Sequence, residues 1–145
     1  MIKLKAMILG VAICVALGTA TASQAQERMR PGMWEDTVSG SGQTSTRSHC
    51  FKATDAAMSN GSAAVVRAET EKALSKNGAC TLKDFKLEGN TLALTMVCGS
   101  TTIVQETKFH GGESFETTMT HTDGGVSKVM QIKGRRTGEC KTAGE

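Results

Sequence analysis

The spacing of four cysteines constrains this chain more than any other feature of its sequence. Beyond an N-terminal leader lie Cys50, Cys80, Cys98 and Cys140. Cys80 and Cys98 are equidistant from Gly89, the centre of a predicted β-hairpin, and are therefore placed to pair across it. Three pairings of four cysteines are open, and the hairpin favours Cys80–Cys98, which leaves Cys50 for Cys140. We expect an oxidised domain with two structural disulfides rather than a metal or redox site, because no C-x-x-C motif occurs.

The first 25 residues have the pattern of a secretory signal peptide. Two lysines precede an apolar run from Met7 to Gly18 and a stretch of small residues, which predicts cleavage after Ala25 or after Ala22. The run has about twelve residues, fewer than the ~20 that cross a bilayer. We expect a periplasmic or secreted protein, with one disulfide-stapled β-rich domain over residues 26–145 and no transmembrane segment after signal removal.

The charge of the predicted mature chain gives no support for nucleic-acid binding. The whole chain has a formal net charge of +3, but the signal peptide holds two of the 17 basic residues and none of the 14 acidic ones. Binding DNA or RNA requires concentrated positive charge, and the mature chain is nearly neutral. Aromatic residues make up only 3% of the chain, so disulfides would compensate for a thin core.

Turn residues divide the mature chain into about seven strands and one helical excursion. Residues 26–30 are expected to be a loose leader, and Trp34 to lie in the core. Thr54–Met58 predicts a helical turn, and 63–76 a helix with Ser62 as its N-cap. The predicted strands are 33–38, 43–52, 80–88, 91–98, 101–110, 114–122 and 126–135. The fold class is therefore mainly β, an antiparallel meander curled into a barrel or half-barrel, with a short helical excursion between the second and third strands.

The sequence of the hairpin that contains Cys80 and Cys98 predicts a β-bulge in it. Its apolar residues match best with Leu87 opposite Leu92 around a two-residue turn. A disulfide across the same hairpin requires a register shifted by one residue. The two requirements agree if a β-bulge lies near Lys83-Asp84.

The sequence offers no recognisable catalytic or metal centre. It contains neither Gly-x-Ser-x-Gly nor His-Glu-x-x-His, and no phosphate-binding loop. The histidines His49, His110 and His121 are expected to be ordinary surface residues, and most carboxylates to be solvated. We therefore expect no enzyme, no cofactor and no metal.

One face of the hairpin 101–122 mixes apolar with small polar side chains, as ligand-holding interiors do. The pattern indicates a non-catalytic module for a small apolar ligand or lipophile, although a shallow, partly wet sheet face has the same pattern. The alternative is a structural or chaperone-like protein that contacts an envelope protein through exposed sheet edges. The residues predicted to face a ligand are Phe109, Phe115, Met119, Thr107 and Thr117.

Motifs at both ends of the mature chain and between them carry a family resemblance. The sequence Arg-Pro-Gly-Met-Trp-Glu occupies residues 30–35, Gly-Arg-Arg-Thr-Gly-Glu-Cys occupies 134–140, and Cys50, Cys80 and Cys98 lie between them. In order and spacing these motifs resemble the DUF3617 proteins, an exported bacterial family of unknown function. The resemblance implies an exported β-rich domain, and it brings no activity, ligand or catalytic residue to this chain.

Overall fold

The computed structural model describes residues 27–76 and 78–141. The predicted signal peptide lies outside the described residues. Within them the strands and helices follow the order predicted from the turn residues, and the helical excursion consists of two helices, at the predicted helical turn and at the predicted helix. They are β1 (Gly32–Gly40), β2 (Gln43–Phe51), α1 (Ala53–Ser59), α2 (Ala63–Lys76), β3 (Cys80–Glu88), β4 (Thr91–Cys98), β5 (Thr101–His110), β6 (Ser114–Asp123) and β7 (Val126–Gly138).

All seven strands form one antiparallel sheet in the order β2-β1-β7-β6-β5-β4-β3. The strands β3 to β7 make a meander, and the N-terminal hairpin joins it because β1 pairs with β7 as well as with β2. The strands β2 and β3 are the two edges of the sheet and do not pair with each other. The two helices carry the chain from one edge to the other. The sheet is therefore open, and the predicted closure into a barrel is not confirmed.

The β3–β4 hairpin has the irregularity that its sequence predicts. Leu87 lies opposite Leu92, and Cys80 lies opposite Cys98. The register shifts between Leu82 and Asp84, so Lys83 is the extra residue of a β-bulge. The bulge allows both the apolar pairs near the turn and the disulfide at the far end to form.

The two faces of the sheet differ in character because side chains alternate along each strand. The outer face is mostly polar, although Val104 and Val129 are exposed on it, and it carries ion pairs such as Lys133 with Glu116, at 3.2 Å. The inner face is the one on which α1 and α2 lie. The buried apolar side chains of the described chain are few and comprise Trp34, Ala56 and Leu94, so the core is thin, as the composition predicts.

Trp34 is the largest buried side chain and anchors one end of the inner face. None of its surface is exposed to solvent, which confirms the prediction that it lies in the core. Its indole Nε1 donates a hydrogen bond to the Arg30 carbonyl at 2.9 Å. Its ring lies 5.8 Å from that of Phe115 and 6.4 Å from that of Phe51. These rings form an aromatic cluster in a chain that has few aromatic residues.

Residues 27–30, which precede β1, are packed against the domain, so the prediction of a loose leader is wrong for them. The buried Arg28 guanidinium donates to the carbonyls of Ser59, Gly61 and Gly89 at 3.0 Å each. Burial lowers the pKa of Arg28 from its ordinary value. Asn60 accepts from the Arg28 backbone amide at 2.7 Å. The segment therefore joins the end of α1 to the β3–β4 turn.

Two disulfides hold the ends of the sheet. Cys80 is bonded to Cys98 across the β3–β4 hairpin, and Cys50 is bonded to Cys140. These are the pairs expected from the hairpin argument. The second bond ties the edge strand β2 to the residues that follow β7, across the intervening strand β1.

Candidate functional site

The inner face carries two spaces large enough for part of a small molecule. One is a cleft of about 410 Å³ at the β1–β2 and β6–β7 side of the sheet. The other is a groove of about 400 Å³ between the helices and the β4–β5 side. Both volumes fall within the range of natural ligand sites.

The cleft has no helix residue in its lining. Its floor is formed by Val38 and Met130, which are half-buried, and its rim by the β1–β2 turn and the end of the β6–β7 hairpin. Its polar groups are hydroxyls and amides together with His121 and Lys128. The lining residues are Val38, Gly40, Ser41, Gln43, Thr44, Ser45, His121, Lys128, Val129 and Met130.

The groove lies under α2, a helix that is weakly attached to the sheet. None of the α2 side chains is fully buried, and Val66, Thr70 and Leu74 are half-buried toward the groove. The helix keeps its sequence-predicted start, where Ser62 Oγ accepts from the Val65 amide at 3.3 Å. The sheet side of the groove is formed by Leu92, Leu94, Met96 and Gln105.

By the strand register, Met119 and Ile103 lie between the cleft and the groove on the inner face. Met119 lies opposite Gln105 of the groove and opposite Met130 of the cleft. Ile103 lies opposite Met96 of the groove and His121 of the cleft. We call the continuous surface of cleft, Met119, Ile103 and groove the inner trough. Its methionines have flexible, polarizable side chains that adapt to irregular apolar shapes.

The structure places the five residues predicted to face a ligand in two different surroundings. Thr107 and Thr117 are buried and lie opposite each other, with their hydroxyls 2.8 Å apart. Phe109 and Phe115 also lie opposite each other, with ring centroids 6.5 Å apart, and continue the aromatic cluster from Trp34. Met119 alone of the five lies in the inner trough as defined by the register.

The aromatic end of the inner face also holds a buried carboxylate. Asp36 is 4% exposed, so it is not one of the solvated carboxylates. Its Oδ2 lies 3.5 Å from His49 Nδ1 and 3.6 Å from Arg47 Nη2. Its Oδ1 has no hydrogen-bond partner among the described residues. The residues nearest the Asp36 carboxylate, Arg47 and His49, both belong to β2, and one of its two oxygens has no hydrogen bond from the described residues.

Two of the three histidines differ from ordinary surface residues. His49 contacts Asp36, and His121 is half-buried with its Nε2 shielded from solvent and without a partner in the described chain. His110 is exposed at the end of β5. Among residues 27–76 and 78–141, no three His, Cys, Asp or Glu side chains come together in a group able to hold a metal ion.

Sequence reasoning missed the cleft because its walls come from distant parts of the chain. Val38 of β1 lies opposite Ile132 of β7, and Gly40 lies opposite Met130. The available signal is the alternation of Met130 and Ile132 with Gln131 and Lys133 in β7. That pattern identifies a face and cannot by itself say which strand lies beside it.

A family model described as a protein of unknown function (DUF3617) matches residues 29–140. The match spans the whole sheet, both helices and both disulfides. No curated protein and no solved structure matches the chain. In the part of the chain that the structure describes, no helix is long and apolar enough to cross a membrane.

Proposed function

We propose that this chain, which belongs to the DUF3617 family of proteins of unknown function, is an exported, non-catalytic module that binds a small lipophilic ligand in the inner trough. The observation that carries the proposal is the cleft of about 410 Å³ with an apolar floor and no helix over it. A sheet face that is only half covered leaves apolar surface in water, and a lipophile would remove that surface from solvent.

The weak attachment of α2 supports the same proposal. A ligand longer than the cleft would extend across Met119 and Ile103 into the groove under α2. The helix has no fully buried side chain to hold it in one position. It can therefore shift on the sheet at small energetic cost when a ligand enters. Export of the protein rests on the predicted signal peptide and on the two disulfides, which persist in oxidising compartments.

The neutral lipophilic dye N-phenyl-1-naphthylamine tests this proposal with purified protein. We expect a saturable rise and blue shift of dye emission at one site per chain. The M130E variant introduces a carboxylate on the apolar floor of the cleft. We therefore expect it to bind the dye about tenfold more weakly, which corresponds to roughly 1.4 kcal/mol. V104E is the matched control, because Val104 is exposed on β5 outside the trough. Equal affinity in all three proteins would overturn the proposal.

A second candidate function rests on the edge strand β2. Its nine residues run without a bulge against β1, and most of its side chains are exposed. The opposite edge, β3, is protected by the bulge and by Lys83 and Lys86. An unprotected edge can accept a strand from a partner, as a structural or chaperone-like envelope protein would. Substituting proline for Thr46 would remove one backbone hydrogen-bond donor of β2. If this variant lost binding to a partner protein but still bound the dye, the result would favour the structural or chaperone-like role.

A further inference from the structure

Two side chains that can donate hydrogen bonds, those of His121 and Lys128, are neighbours in the cleft. His121 lies directly opposite Lys128 across the β6–β7 ladder, and both residues line the cleft. Directly opposed residues of an antiparallel pair have Cβ atoms about 4.5–5.5 Å apart. The Lys128 ammonium and the His121 imidazole can therefore converge on one small acceptor.

Neither group is engaged by another side chain in the described part of the chain. Lys128 is exposed and takes part in none of the ion pairs between described residues. The Nε2 atom of His121 is shielded from solvent and has no hydrogen-bond partner there. A shielded polar atom without a partner carries an energetic cost that a ligand acceptor would remove.

The remaining groups of the cleft favour an anion. Its lining contains no carboxylate, and Gln43, Thr44 and Ser45 add further hydrogen-bond donors. The nearest acidic residue of the same hairpin, Asp123, accepts a hydrogen bond from Ser100 Oγ at 2.8 Å. One lysine balances one negative charge, so the cleft suits a monoanion better than a dianion such as a phosphomonoester.

Beside these donors the cleft becomes apolar. Val38 and Met130 lie between the Lys128 end and the aromatic cluster, and Met119 leads across the sheet toward the groove. A ligand that fits both parts has an anionic head at Lys128 and an unbranched tail along the methionines.

We propose that the inner trough binds a single-chain fatty carboxylate, with the carboxylate held by Lys128 Nζ and by His121 Nε2, which a rotation of the imidazole ring brings from its shielded position into the cleft. The inference rests on the proposed lipophile-binding function and names its ligand class. The carboxylate accepts one charge-assisted hydrogen bond from the lysine and one from the imidazole Nε2–H. The acyl chain covers the apolar floor.

Isothermal titration calorimetry with dodecanoate, below its micelle concentration, and with dodecanol tests the inference. The two probes share a chain and differ in the head group. We expect dodecanoate to bind wild-type protein at least about tenfold more tightly than dodecanol, the size of a charge-assisted hydrogen bond. In K128M the two affinities should become equal through loss of dodecanoate binding, and H121Q should reduce the difference.

K83M is the matched control, because it removes a lysine from the β3 bulge, outside the cleft. It should leave both affinities unchanged. If dodecanol binds as tightly as dodecanoate, or if K83M and K128M act alike, the head-group assignment is wrong while lipophile binding stands. If neither probe binds wild-type protein, the head-group assignment and the proposed function both fail.

Discussion

The aromatic cluster at the end of the inner face depends on a residue that has no side chain. Gly134 of β7 lies opposite Phe115 and opposite Asp36. A Cβ atom on Gly134 would overlap the Phe115 ring. The ring therefore lies directly over the β7 backbone, and this close approach brings it within 5.8 Å of Trp34. Gly134 is part of the core even though it contributes no apolar surface.

G134A is predicted to destabilise the protein by about 2–3 kcal/mol, because the new methyl group overpacks a site that the Phe115 ring already fills. Urea unfolding followed by the emission of Trp34, the single tryptophan, measures the change. In an F115L background the same substitution should cost at least about 1 kcal/mol less, since the two residues are coupled. Equal costs in both backgrounds would show that the ring does not determine the effect.

Arg28 shows what sequence patterns could not reveal at the residue scale. An arginine beside a predicted cleavage site has no periodic pattern around it, so the sequence favoured a loose segment. Its three acceptor carbonyls come from the end of α1 and from the β3–β4 turn. Those acceptors are backbone carbonyls. Every residue has one, so the sequence does not show which of them accept hydrogen bonds from Arg28.

Among the individual elements, the β3–β4 hairpin was the most predictable. Its two strands are adjacent in sequence, and the turn fixes their register. The apolar phase changes between Leu82 and Phe85, and this change predicts the position of the bulge from the sequence. The cleft was not predictable in the same way, because it requires β1 to pair with β7, nearly a hundred residues later.

Deleting Lys83 is predicted to leave the hairpin intact. Leu82 already pairs with Met96 and Asp84 with Thr95, so the deletion removes the unpaired residue and restores regular alternation. We expect the free energy of unfolding to change by no more than about 1 kcal/mol and the Cys80–Cys98 bond to form.

Deleting Lys86 provides the contrast, because it moves Phe85 to the outer face and Asp84 to the inner face. Its expected cost is about 3 kcal/mol or more, comparable to loss of a core phenylalanine. Urea unfolding and a count of free thiols compare the two deletions. If both deletions had the same cost, Lys83 would not be the inserted residue of the bulge.

For the whole molecule, the two disulfides have unequal roles. Cys80 and Cys98 are separated by 18 residues within one hairpin, whereas Cys50 and Cys140 are separated by 90. The longer link joins the edge strand β2 to the residues that follow β7, across the intervening strand β1. The cysteine spacing predicted the pairing, but the contribution of the long link became clear only from the strand order.

The variant C50A/C140A is predicted to lose more stability than C80A/C98A. The chain-entropy model gives about 4–5 kcal/mol for the long loop and about 3 kcal/mol for the short one. Amide hydrogen exchange along β2 should also be faster in C50A/C140A and unchanged in C80A/C98A, because β2 is an edge strand that the Cys50–Cys140 bond holds. A larger loss of stability in C80A/C98A would contradict this ranking.

The proposed function places ligand binding on the inner trough. The most direct measurement is a titration of ¹⁵N-labelled protein with dodecanoate, followed by amide chemical shifts. We expect saturable shifts concentrated at residues 38–45, at Met119 and His121, and at 128–132, with little change on the outer face. Shifts confined to edge strand β2, or no saturable shift at any ligand concentration below micelle formation, would contradict it.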